Sequence, residues 1–194
     1  DVDADGIALV TWDIPGRSMN VFDEVSTQEI GEIIKQTTSD PAIKGVVITS
    51  AKEAFCAGAD LSMLEGMNRA YAQLFKEKGE EAANQMLFEQ SRQMSLSFRA
   101  IETSGKPWVA AINGLALGGG FEITLACHYR VAAENPKTRL GLPEMKVGLF
   151  PGAGGTQRVP RLVQPADAMQ LLLKGEAVNL TRAKALNLIH AVVP

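Results

Sequence analysis

The sequence predicts an α/β domain. Three observations carry this: short apolar, β-branched runs recur along the chain, stretches of helical spacing separate them, and small residues mark the passages between the two. At 194 residues the chain suits one domain, residues 1–194, with length enough for a full-sized core. No repeat of fixed period and no low-complexity linker divides it.

In chain order, Ile7–Trp12 reads as a strand between Gly6 and the Pro15-Gly16 break. Val25–Thr37 places Val25, Ile30, Ile33 and Ile34 at helical spacing, with Asp23 as the cap. Gly45–Thr49 suits a buried strand. Ala51–Gly58 is loop-like, and Asp60 opens a helical stretch over Leu61–Leu64. Residues 68 to 102 are rich in helix formers and free of proline, and Gly79 is where they would divide. Trp108–Ile112 is another strand, closed by the turn dipeptide Asn113-Gly114. Gly118-Gly119-Gly120 leads into a helix over Phe121–Ala126, followed by a strand at Tyr129–Ala132 and a short one at Arg139–Leu142. Pro151–Gly155 is a loop, and the rest is expected to be largely helical.

Composition excludes several classes. Apolar residues make up 46% and charged residues 21%, ordinary for a globular chain, and the net charge of −3 offers no field to gather nucleic acid. No run is long and apolar enough to span a membrane. Cys56 and Cys127 lack metal-type spacing and read as buried small apolar side chains, and with only His128 and His190 a multi-histidine metal site is not expected. The chain opens on Asp1 rather than Met and stops at Pro194 straight after the apolar run Leu188–Val193, so it is expected to be a piece of a longer one.

Two turns and two glutamates stand out. Ala57-Gly58-Ala59-Asp60 is a strand-to-helix turn of small residues, where a ligand can approach the backbone and helix-start amides favour negative charge. Gly118-Gly119-Gly120-Phe121-Glu122 repeats the device. One amide from each, aimed at a common point, makes an oxyanion hole. Each turn taken alone is equally a tight connection, and the triplet has neither GxGxxG spacing nor a following GK[ST]. Glu122 lies in the first turn of its helix, where the dipole favours a carboxylate whatever its role; Glu144, after Gly141-Leu142-Pro143, is equally a solvated helix-start residue. If the two face one substrate, they can divide acid and base work.

Four segments in order resemble the crotonase, or enoyl-CoA hydratase, superfamily: Phe55–Leu61, Ala111–Glu122, Leu140–Glu144 and Gly148–Arg158. The resemblance covers Ile7 to Pro194 and implies a crotonase-type spiral of ββα turns whose C-terminal helical part lies outside this chain. It implies Glu122 and Glu144 as the catalytic pair and the amides of Ala59 and Gly119 as the oxyanion hole. Ala57, Ala59, Asp60, Leu61, Ser62 and Gly119 are the implied substrate-binding positions. Ser18–Phe22 and the Leu-Pro-Glu form of the third segment are similar to the N-terminal hydratase/isomerase part of multifunctional fatty-acid oxidation proteins. Two departures are His128, where the family usually has aspartate, and a stretch over Ala133–Arg139 about two residues longer than in short hydratases.

The resemblance therefore implies hydration of an enoyl-CoA without a metal or other cofactor. NAD would serve only a 3-hydroxyacyl-CoA dehydrogenase part beyond this chain. It also implies acyl-CoA as the partner, an oligomer or multienzyme complex, and a cytoplasmic location in a bacterium or a mitochondrial or peroxisomal one in a eukaryote. Double-bond isomerisation and a non-catalytic, RNA-binding relative are the alternatives. Arg17 and Lys52 are the cations nearest the first turn, and each is equally a solubilising charge.

Overall fold

The computed structural model describes residues 1–194. Its main sheet is entirely parallel and five-stranded, in the order β1 (Ile7–Trp12), β2 (Gly45–Ser50), β3 (Trp108–Ile112), β5 (Tyr129–Ala133) and β8 (Ala191–Val193). Val46 and Ile48 of β2 and Ala110 and Ile112 of β3 turn inward, while Val47, Thr49, Val109 and Ala111 are half-covered. Because both faces are at least partly covered, continuous apolar runs, rather than sharp alternation, marked these strands.

A second, shorter row runs beside that sheet. It begins with bridges between Phe22 and Ala59 and between Cys56 and Ala116. It continues through β4 (Ala116–Leu117), β6 (Leu140–Gly141) and the antiparallel β7 (Ala177–Val178). Each passage from the main sheet therefore crosses this row before a helix starts: α1 (Glu24–Ser39), α2 (Leu61–Lys78), α4 (Gly119–Ala126) and a 3-10 helix (Pro143–Val147). That is the expected spiral of ββα turns. Its consequence is that helix starts distant in sequence line up along one edge.

The caps follow from side chains at those starts. Asp23 accepts from the Ser26 amide while the Ser26 hydroxyl accepts from the Asp23 amide, a reciprocal box. Asp60 accepts from the Ser62 amide to open α2. Gly79, at φ 86°, ends α2 and opens α3 (Glu80–Thr103), as its position in the helix-forming stretch suggests. The interior holds Trp108, Phe22, Phe55, Phe98 and Phe121, all nearly inaccessible. Phe22 meets the Trp12 ring edge-on at 4.8 Å and the Phe98 ring at 5.9 Å, which seats the start of the second row on the core.

The C-terminal stretch is largely helical, as expected, but it also carries two short strands. α5 (Gly155–Leu162), α6 (Pro165–Leu173) and α7 (Leu180–Ala185) are the helices, and β7 and β8 are the strands. Asn187, at φ 58°, breaks the helical course, and Ala191–Val193 then pairs with Val131–Ala133 as the edge of the main sheet. A partner 60 residues away supplies those hydrogen bonds, so no local period announces them.

Candidate active site

The two small-residue turns pack directly on each other. A Cβ at Gly58, whose φ is +101°, would stand 3.1 Å from the Leu117 carbonyl oxygen, and one at Gly120 would stand 2.6 Å from the Cys56 carbonyl oxygen. Only glycine allows that approach. Gly118 donates to the Gly141 carbonyl at 3.0 Å, which ties the second turn to the next one along.

Besides the buried Gly120 amide, two amides in this cluster have no partner within the protein: those of Ala59 and Gly119. Phe22 donates to Gly58 and accepts from Asp60, so the alternation of an extended segment turns the Ala59 N–H away from Phe22. Gly119 opens α4, where the first N–H groups of a helix lack intrahelical acceptors. Both residues are half-buried.

Glu122 is 2% exposed, one turn into α4. Its Oε1 accepts from the amides of Ala153 at 2.9 Å and Gly155 at 2.7 Å. Burial pushes its carboxyl up to about 7; the Gly155 and Ala153 amides and Arg158 pull the other way, and Glu144 adds to the rise. Desolvation wins over two good hydrogen bonds. Glu144 sits in the 3-10 helix rather than in an α-helix start, half-buried, with its Oε2 shielded and unpartnered. Its carboxyl is also raised, chiefly by burial. A Cβ on Gly118 would stand 3.2 Å from Glu144 Oε1, so the carboxylate lies against the second turn.

A pH dependence of stability follows from Glu122. Its folded pKa lies above the ordinary 4.5, so its contribution is fully present below that value and is lost as pH rises through about 7. Glu122→Gln is expected to remove this slope, a difference of up to about 3 kcal/mol between pH 4 and pH 8. Denaturant unfolding of both proteins at the two pH values measures it, and parallel slopes would refute it.

The remaining predicted positions divide between the turn and its surface. Ala57 donates to the Asn20 carbonyl in the second row, Leu61 is exposed at the start of α2, and the Ser62 hydroxyl donates to Asp60. Asp60 also accepts from Arg17, which reaches Asp23 at 3.5 Å, so one guanidinium joins the caps of α1 and α2. Lys52 pairs with Asp13. Neither cation near the first turn is unpaired. His128 and His190 accept from the Trp108 and Arg130 amides, and no cluster of His, Cys, Asp or Glu is placed to hold a metal ion.

Residues 152–158 matter more than the sequence suggested. Arg158 forks onto Glu102 of α3, Nε to Oε1 at 2.9 Å and Nη2 to Oε2 at 3.0 Å, and donates through Nη1 to the Ala153 carbonyl at 2.7 Å. The Ser95 hydroxyl, also on α3, donates to the Gly152 carbonyl at 2.9 Å. The motif Gly148–Arg158 was the available signal, but nothing local linked it to Glu122.

The description enoyl-CoA hydratase/isomerase fits residues 3–194, nearly the whole chain. The chain belongs to that family. Among relatives in this enoyl-CoA hydratase/isomerase family, the fatty acid oxidation complex subunit alpha of Shewanella frigidimarina is 43% identical over 191 residues, covering 98% of this chain and 25% of its own length. The subunit of the same name from Idiomarina loihiensis is 41% identical over 196 residues, covering 100% and 26%. This chain thus spans about a quarter of the length of the curated relatives it matches. The crystal structure of enoyl-CoA hydratase from Bacillus anthracis superposes with a TM-score of 0.83 at 32% identity, covering 100% of this chain and 69% of that one. The ββα spiral is therefore the fold of a solved enoyl-CoA hydratase. No helix is long and apolar enough to cross a membrane.

Proposed function

We propose that this chain hydrates 2-trans-enoyl-CoA to 3-hydroxyacyl-CoA in fatty-acid β-oxidation. The observation that carries the reading is a pair of carboxyls raised by burial, electrostatically coupled, beside two amides with no internal acceptor. Thioester hydration needs a charge sink for the carbonyl oxygen, a base for water and a proton for the α-carbon.

In this reading the Ala59 and Gly119 amides donate to the thioester oxygen as it gains enolate character. Glu122 orients the water and takes its proton as the oxygen bonds to the β-carbon. Glu144 is the main donor to the α-carbon, with the pair able to share both tasks. Raised carboxyls suit this division, because one can stay neutral near neutral pH while the other is charged. Ala57, Asp60, Leu61 and Ser62 form the run along which the acyl-CoA lies. Hydration by this route uses no metal or redox cofactor; NAD belongs to a dehydrogenase part of the longer protein. The names of the relatives support fatty-acid oxidation and a multienzyme assembly.

Isomerisation of a 3-enoyl to a 2-enoyl thioester uses the same enolate and one carboxylate, and the family description spans both reactions. Assaying crotonyl-CoA and a 3-enoyl-CoA side by side separates them. Hydration is expected to be the faster reaction; turnover of the 3-enoyl substrate alone would overturn the assignment.

A further inference from the structure

We propose that Ser95 and the Arg158–Glu102 pair are positioning residues, which set the 152–155 loop so that its amides hold one oxygen of Glu122 and leave the other for the reacting water. The proposal rests on the hydratase reading above.

The geometry is a sequence of pinned peptide planes. A trans peptide points its C=O and N–H in opposite directions, so holding one end aims the other. In the plane joining residues 152 and 153, the Gly152 carbonyl accepts from Ser95 Oγ while the Ala153 N–H donates to Glu122. In the next, the Ala153 carbonyl accepts from Arg158 Nη1. In the third, the Gly154 carbonyl accepts from the Gln157 and Arg158 amides of α5, each at 3.0 Å, while the Gly155 N–H donates to Glu122. The fork of Arg158 onto Glu102 fastens this loop to α3. Arg158 thus serves as a brace between a helix and a loop, and its planar guanidinium supplies both sets of bonds at once.

The charged groups that act on Glu122 are few. Glu144 comes from the 3-10 helix and Arg158 from α5, with Glu102 of α3 behind it. Strands β3 and β4, which also pack on α4, carry no charged residue. Releasing the brace weakens the donors to the carboxylate and removes a nearby cation. Both changes favour the neutral carboxyl, so the acid limb of the rate profile should move to higher pH.

The test is steady-state hydration of crotonyl-CoA by the complete protein across pH. Arg158→Gln is expected to lower kcat about 10–100-fold with KM changed less than about threefold, the scale of a misplaced catalytic group. Ser95→Ala should give the same signature at a smaller scale, and Arg158→Lys should restore only part, since an ammonium cannot make both sets of bonds. In a Glu122→Gln background, Arg158→Gln and Ser95→Ala should cost little more, because they act through that carboxylate. Wild-type kcat and an unmoved acid limb in both Ser95→Ala and Arg158→Gln would overturn the proposal. So would losses that multiply fully with Glu122→Gln. Ser95→Ala removes a single hydroxyl, so a folding defect in Arg158→Gln still leaves a decisive arm. Normal turnover by Glu122→Gln would instead overturn the hydratase assignment beneath it.

Discussion

Replacing Glu122 by glutamine is expected to lower kcat for crotonyl-CoA hydration by about 10²–10⁴-fold, the usual contribution of a positioned acid or base. Glutamine keeps the shape of the side chain and can still accept from the Ala153 and Gly155 amides through its carbonyl oxygen, but it cannot take a proton from water. Acyl-CoA binding should therefore change little, and KM should stay within a few-fold. Glu144→Gln is expected to fall by a similar factor, because its shielded and unpartnered Oε2 is the proton-carrying candidate that this change removes. Initial rates followed by the loss of enoyl-thioester absorbance measure both. Near-normal hydration by both variants would end the assignment of acid and base to this pair.

A second large effect is expected from Gly119→Pro, with a fall in kcat of about 10²–10³-fold. Proline removes the N–H that has no internal acceptor, and its Cβ meets the same Phe22 ring that an alanine Cβ would. Gly119 is the first residue of α4, a position where proline's fixed φ suits the helix and no intrahelical bond is lost. Gly119→Ala is the matched comparison because it keeps the N–H. Its Cβ would stand 3.2 Å from Phe22 Cδ2, so the ring must yield by a few tenths of an ångström, and a modest loss is expected from packing alone. The difference between the two variants reports the amide. Equal kcat values for proline and alanine at this position would remove Gly119 from the oxyanion hole.

Much of the fold was legible because its long elements carry their own signals. Ile7–Trp12 and Trp108–Ile112 have the same bounds in sequence and structure, since each is an apolar run closed by glycine, proline or an Asn-Gly turn. Asp23, Asp60 and Gly79 marked helix ends through capping chemistry that acts within a few residues. The short strands β4, β7 and β8 were not legible. Two or three residues hold too little periodicity to declare a strand, and their partners lie in other turns of the spiral.

The chemical groups of the candidate site were likewise present in the sequence: carboxylates at 122 and 144, and small residues at 57–59 and 118–120 that leave backbone amides approachable. What the sequence by itself determined was the type of each group and its place at a helix start, since glycine freedom, capping and the helix dipole are local properties. Only the tertiary structure decided that Glu122 loses its water, leans on the amides of residues 153 and 155, and feels Glu144, while α3 braces the loop that holds it. Desolvation and coulombic coupling depend on which groups surround a charge, and segments far apart in the chain become neighbours only when the turns of the spiral stack.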